Sequence, residues 1–193
     1  MNSIGLACHP ETPSGAVREI SASIRIERGG ILAVTYVLRG VLGQVRIGSA
    51  ASAGEALWQH TCFELFVGAT NDAEYYEFNF SPTGAWALYG FRDYRDGAPM
   101  HVEHLQPKIA VRRDAEELRL GADIALDGLP DVHGGVQLSV GIAAVIEGVD
   151  GTFSYWAIKH PPGRPDFHHA DNFAVQIEVP AVPDGDRGCA ANA

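Results

Sequence analysis

Residues 58–89 read WQHTCFELFVGATNDAEYYEFNFSPTGAWALY, and their alternation decides the fold. In an extended strand, successive side chains point to opposite faces. Phe63, Leu65 and Val67 therefore share one side of the first run, while Trp58, His60, Cys62, Glu64 and Phe66 share the other. The second run repeats the pattern, with Tyr76, Phe78 and Phe80 opposed to Tyr75, Glu77 and Asn79. A simple reversal over Gly68 to Ala73 pairs Val67 with Glu74, which sets Phe63 against Phe78 and Glu64 against Glu77. The Ser81-Pro82-Thr83-Gly84 segment has turn chemistry, with Pro fixing φ and Gly closing the turn, and it brings Trp86 beside Asn79. The expectation is a three-stranded meander. One face is apolar; the other gathers Glu64, Glu77, Asn79 and Trp86, with Trp58 toward its end.

The same short-strand grammar extends outward. Residues 16–40 read as two alternating runs joined at Arg28-Gly29-Gly30, a hairpin. Val41 to Ile47 adds a short edge strand, and GFRDYRDGAPM after Tyr89 is a polar loop. Ile109 to Arg113 and Leu118 to Leu126 form another strand pair. VQLSVGIAAVIE, 136–147, is a nearly unbroken apolar run fit for a central buried strand. Phe153 to His160 is a strand stopped by Pro161-Pro162-Gly163-Arg164-Pro165, which cannot continue a ladder. Asp166 to Asn172 is then a loop, and Phe173 to Val179 a last strand. No helix longer than a turn or two is expected. The fold class is all-β, an antiparallel β-sandwich of immunoglobulin-like or jelly-roll-like kind. Residues 1–15 are expected to be a loose lead-in, 16–180 a single domain, and 181–193 a disordered tail.

Composition narrows the partners. With 14 Lys plus Arg against 24 Asp plus Glu, the net charge of −10 argues against nucleic acid, which is bound by neutralising phosphates. The three cysteines, Cys8, Cys62 and Cys189, are scattered and form no CxxC pair or disulfide framework, which suits a reducing compartment. The N-terminal MNSIGLACHPETP has neither a basic start nor a long apolar run, and no later segment approaches a membrane span. A cytoplasmic protein without membrane partners is expected. There is no phosphate-cradling loop, no GxSxG elbow and no Cys-His metal cluster.

Three stretches, WQHTCFELFV (58–67), YYEFNFSPTGAWALY (75–89) and YWAIKHPPGRPDFHHADNF (155–173), together resemble the DOMON-like domains related to family nine carbohydrate-binding modules. The resemblance spans roughly residues 17 to 180. It implies a β-sandwich that holds a small ligand: a sugar in the carbohydrate-binding members, haem in some others. By the same resemblance, the tryptophan that starts the acidic strand corresponds to Trp58, its acidic residue to Glu64, the hairpin asparagine to Asn79 and the closing histidine to His168. Secreted modules of this kind are joined to polysaccharide-degrading enzymes and carry an export signal. This sequence shows neither feature, which makes a small stand-alone bacterial protein the expected setting.

The residue chemistry points the same way. Sugars need flat aromatic faces for the apolar side of the ring and planar polar groups for the hydroxyls. Trp58, Trp86 and Trp156, with Glu64, Glu77, Asn79 and Arg92, supply both. Like charges across a ladder are destabilising by roughly 0.2–1 kcal/mol unless compensated. Glu64 and Glu77 therefore call for an arginine, a cation such as calcium, sugar hydroxyls or a shared proton. Two carboxyls about 5 Å apart also fit a retaining glycosidase, but a bare sandwich without other catalytic groups is expected to bind rather than cleave. Haem would need axial ligands, for which His60, His160, His168 and His169 are the candidates. The reading is a non-catalytic domain binding a carbohydrate or sugar-like small molecule through Trp58, Glu64, Glu77, Asn79, Trp86, Arg92, Trp156 and His168. A haem- or other cofactor-binding domain is the second reading and a structural protein-protein interaction domain the third. Calcium and haem stay open as cofactors.

Overall fold

The computed structural model describes residues 3–48 and 56–181. The strands in chain order are β1 (Ile4–Cys8), β2 (Val17–Glu27), β3 (Ile31–Gly40), β4 (Cys62–Ala69), β5 (Tyr75–Phe80), β6 (Trp86–Asp93), β7 (Asp96–Pro99), β8 (Lys108–Arg113), β9 (Glu117–Ala125), β10 (Gln137–Glu147), β11 (Phe153–Ala157) and β12 (Val175–Glu178). Helical structure among the described residues is confined to three-residue 3-10 turns. None is long and apolar enough to cross a membrane.

The strands form two antiparallel layers. One runs β1-β2-β3-β9-β8 and the other β7-β6-β5-β4-β10-β11, while β12 pairs with the first half of β10 on the edge that β11 uses further along. β1 belongs to both layers: Leu6 pairs with Ile20 of β2, and Ala7 with Ala157 of β11. The core lies between the layers. Ile20, Leu32, Tyr36, Leu38, Leu118 and Leu120 face Phe63, Leu65, Phe78, Phe80, Val140 and Ile142, all completely buried. Removing any one of the large aliphatic groups would cost about 2–5 kcal/mol, the transfer energy plus the cavity left behind.

The all-β sandwich and the two-faced meander agree with the alternation, and four expectations need correction. Residues 1–15 are not simply a loose lead-in, because Ile4–Cys8 is the strand that joins the layers. The short edge strand at 41–47 is instead a 3-10 turn, Leu42–Gln44, followed by a lone bridge from Val45 to Gly148. The polar loop after Tyr89 is a hairpin in which β6 continues to Asp93 and β7 returns along it. The meander register differs by two residues: Glu64 lies opposite Asn79 and Phe66 opposite Glu77, with Val67 opposite Tyr76. A slip of two keeps every side chain on its expected face and changes only its neighbours. The expected tail at 181–193 falls, after Ala181, outside the described residues.

Candidate functional site

The outer face of the β4-containing layer carries the polar half of the meander, and there flanking turns and loops wall it into a cavity that stays open on one side. β4 contributes Glu64, β5 contributes Glu77, β6 contributes Tyr89 and Phe91, β10 contributes Val145, and β11 contributes Phe153 and Tyr155 to a cavity of about 580 Å3. Trp58 and Gln59 enter from a 3-10 turn, Leu57–Gln59, pinned by buried Leu57. Arg95 enters from the β6–β7 turn, and Pro165, Phe167 and His168 from the segment before β12. The volume suits a small ligand, since such sites span roughly 300–1,000 Å3.

The closing segment is held by specific contacts. Asn172 is fully buried, and its Nδ2 donates to the Phe167 carbonyl at 3.0 Å. It rests on Gly141 of β10, where a Cβ would come within 2.9 Å of Asn172 Nδ2 and 3.2 Å of the Phe66 Cβ. Glycine is thus what lets the loop seat on the strand. Asp166 ties the same segment to the β6–β7 turn, accepting from Arg95 Nη2 at 2.8 Å and from the Tyr94 hydroxyl at 2.5 Å. Arg95 itself stands at φ 56, in the left-handed region, and its backbone N–H donates to the Tyr75 hydroxyl at 3.2 Å.

The carboxylates lie at the floor. Glu64 and Glu77 are 4% and 6% exposed. Asn79 Nδ2 donates to Glu77 Oε1 at 2.7 Å, and the Asn79 carbonyl oxygen accepts from Cys62 Sγ at 3.3 Å. Burial raises the Glu64 pKa well above the ordinary carboxylate range, the nearby Glu77 raises it further, and Arg95 opposes both. Burial raises Glu77 too, against the Asn79 hydrogen bond and Arg95. His168 has the opposite fate: burial, then the Arg95 charge, lower it to about 4 despite Asp166. The imidazole is neutral at physiological pH. Its Nδ1 is 2.9 Å from the Tyr75 hydroxyl, which accepts from Arg95 N–H and keeps its own proton to give to Nδ1 when that nitrogen is the unprotonated one. That assignment leaves the proton on Nε2, 3.6 Å from Glu77 Oε2, a contact of a neutral ring with a carboxyl group rather than an ion pair.

Of the eight expected site residues, Trp58, Glu64, Glu77 and His168 line the cavity. Asn79 is fully buried beside them and acts through Glu77. Trp86 and Trp156 are on the other side of the sheet. Trp86 pairs with Phe80 and packs on the core, and Trp156 is buried in it with Nε1 donating to Ser154 Oγ at 3.1 Å. Arg92 points away, pairing with Asp96 at 3.3 Å, and Arg95 occupies the place expected of it. Tyr89, Phe91, Tyr155 and Phe167 were not anticipated. Period-two alternation from Glu77 through its neighbour strand would have found Tyr89, its direct partner. Of the haem-ligand candidates only His168 reaches the cavity. His60 pairs with Glu147 at 2.9 Å, His160 Nε2 bonds the Ala7 carbonyl at 2.9 Å, and the His169 ring accepts from Asp171 N–H. Among the described residues no group of three or more His, Cys, Asp or Glu is placed to hold a metal ion.

The architecture is an antiparallel β-sandwich with a cavity on the outer face of one layer. No family model and no curated protein matches the chain, but solved structures do. A Bacteroides uniformis protein provisionally described as carbohydrate-binding superposes with a TM-score of 0.66 at 18% identity, over 91% of this chain and 85% of that one. A family nine carbohydrate-binding module from Caldicellulosiruptor kristjanssonii superposes with a TM-score of 0.52 in its complex with glucose, at 10% identity over 88% of this chain and 81% of that one. In complex with cellotriose it gives the same TM-score at 11% identity, over 95% and 89%. The chain has the fold of family nine carbohydrate-binding modules.

Proposed function

We propose that the cavity binds a carbohydrate without cleaving it. The observation that carries this reading is Trp58, a large aromatic side chain 50% exposed at the rim of a cavity whose floor is two buried carboxyl groups. An indole held open to water at a pocket mouth provides a stacking face for the apolar side of a sugar ring, and the carboxyl groups below accept from its hydroxyls. Tyr89, Phe91 and Tyr155 extend the aromatic lining. The same fold carries glucose and cellotriose in the Caldicellulosiruptor module, which supports a saccharide of similar size here. Titration calorimetry with glucose and cello-oligosaccharides, with calcium and without it, tests the proposal, backed by a glycan array. Saturable heat at one site per chain is expected, with no release of reducing ends on prolonged incubation. Absence of heat and of array binding for every saccharide would overturn the binding reading, and turnover of a bound oligosaccharide would overturn its non-catalytic part.

A further inference from the structure

The floor of the cavity has more unpaired acceptor capacity than one hydroxyl of a neutral sugar can use. Glu64 is 96% buried, and among the described residues no donor hydrogen-bonds its carboxyl group, which lines the cavity. Glu77 is satisfied on one oxygen only by a neutral amide, Asn79. Among the described residues the cation that lines the cavity is Arg95, and its Nη2 bonds Asp166 at 2.8 Å and its Nε bonds the Tyr94 hydroxyl at 3.3 Å. With His168 neutral, the described lining sets two carboxyl groups, Glu64 and Glu77, against one guanidinium, Arg95, that Asp166 already holds. Around this floor stand aromatic rings, Tyr89, Phe91, Phe153, Tyr155 and Phe167. Ring faces attract a cation most strongly when it is stripped of water.

We propose that the site selects a sugar bearing a protonated amine, an amino sugar, whose ammonium group sits between Glu64 and Glu77. This deepens the carbohydrate reading and rests on it. An ammonium has three donors and no acceptor, so it can satisfy the free Glu64 oxygens and the open Glu77 oxygen together. A hydroxyl has one donor and brings no charge. Burial of the amine is compensated by the pair, and the ammonium favours the ionised form of Glu64 that burial and Glu77 disfavour. The net charge of −10 favours approach of a cationic ligand.

The experiment is calorimetry with glucosamine, N-acetylglucosamine, glucose and, as a cation without a ring, tetramethylammonium, each at about pH 6.5 where the amine is charged. Glucosamine should bind at least tenfold tighter than glucose and N-acetylglucosamine, and Glu64→Gln, whatever it does to neutral-sugar affinity, should lower the glucosamine-to-glucose affinity ratio at least tenfold; an unchanged ratio overturns the role of Glu64. Binding of glucose equal to or tighter than glucosamine overturns the amine selection and leaves the carbohydrate reading standing. Tetramethylammonium binding as tightly as glucosamine shows a cation site and overturns the sugar component. No heat with glucosamine overturns the amine selection, whereas the carbohydrate reading falls only if the cello-oligosaccharides and the glycan array are silent as well.

Discussion

The Tyr36 hydroxyl donates to the backbone carbonyl of Glu64 at 2.8 Å, across the full thickness of the sandwich. Tyr36 is on β3, in the opposite layer, and its ring packs 5.0 Å from Phe63. The strand that carries one carboxyl group of the cavity floor is thus fixed from behind. Tyr36→Phe keeps the ring and deletes the donor, so it should cost about 1 kcal/mol. In a chain of this size that is a fall of about 2–4 °C in Tm. Thermal unfolding followed by circular dichroism checks it; an unchanged Tm would mean that the bond adds nothing to the packing already there.

Trp58→Ala separates a binding platform from a core residue. The side chain is half exposed on a three-residue turn whose buried anchor is Leu57. Truncation should reduce saccharide affinity at least tenfold, about 1.4 kcal/mol, with Tm nearly unchanged. Loss of several degrees in Tm would assign the ring to packing instead. By contrast Trp156→Ala should cost about 3–5 kcal/mol of stability, since that ring is in the core.

Glu64→Gln should stabilise the unliganded protein. Burial and Glu77 raise the folded-state pKa of Glu64 above its unfolded value. A carboxyl group raised in this way contributes stability that is fully present below the unfolded pKa and lost as pH rises through the folded one. At pH 7 to 8 the wild type therefore carries the penalty and the amide does not. The gain in Tm should be of the order of 2–4 °C, about 1 kcal/mol, largest at about pH 8 and absent at about pH 4. A variant less stable than wild type at pH 8 would contradict the sign.

His168 shows its effect in acid. Its folded pKa is lowered to about 4 from the ordinary histidine value of 6.5, chiefly by burial and then by Arg95. The unfolded chain takes up a proton first, so this group withdraws stability as pH falls from about 6.5 to about 4. His168→Gln, which still offers an acceptor to the Tyr75 hydroxyl, should lose less stability than wild type across that window. Urea midpoints at several pH values measure it, and parallel curves for the two proteins would refute it.

Asp166→Ala should release the segment over the cavity. It removes the acceptor of Arg95 and Tyr94 and the 3.1 Å bond from His168 N–H. Asp166 has a depressed pKa: burial would raise it, but the Tyr94 and Arg95 hydrogen bonds and the Arg95 charge outweigh that. Its contribution is therefore present above the unfolded Asp pKa and lost as pH falls through the folded value. Hydrogen exchange of residues 165–172 should quicken about tenfold in the variant while β4 and β10 stay protected. Uniform quickening would show that the contact supports the whole fold instead.

The face shared by Glu64, Glu77 and Asn79 was legible in the sequence because alternation survives any even slip of register. Trp86 was not. Ser81 N–H bonds the Ala85 carbonyl, so the turn places Trp86 opposite Phe80, one position from the expected partner, and one position reverses the face. Trp156 and Tyr155 are adjacent, and nothing local says which of two neighbouring aromatics faces the core; Tyr155 lines the cavity. Arg95 was hidden among the polar residues 92–96 because its placement depends on a left-handed turn at a non-glycine residue. β1 was obscured for a different reason. Five residues with one buried side chain carry little periodic signal, and their pairing partners are far away in the chain.

That distance gives β1 a temporal meaning. Leu6 can pair with β2 as soon as the first hairpin exists, but the partner of Ala7 is Ala157. During synthesis from the N-terminus, the seam between the layers must wait for nearly the whole chain, and long-range pairings of this kind fold slowly. The segment with Asp166, Phe167 and His168 comes later still. The cavity therefore cannot be complete until that segment has been made, after β4, β5, β6, β10 and β11, the strands that line it.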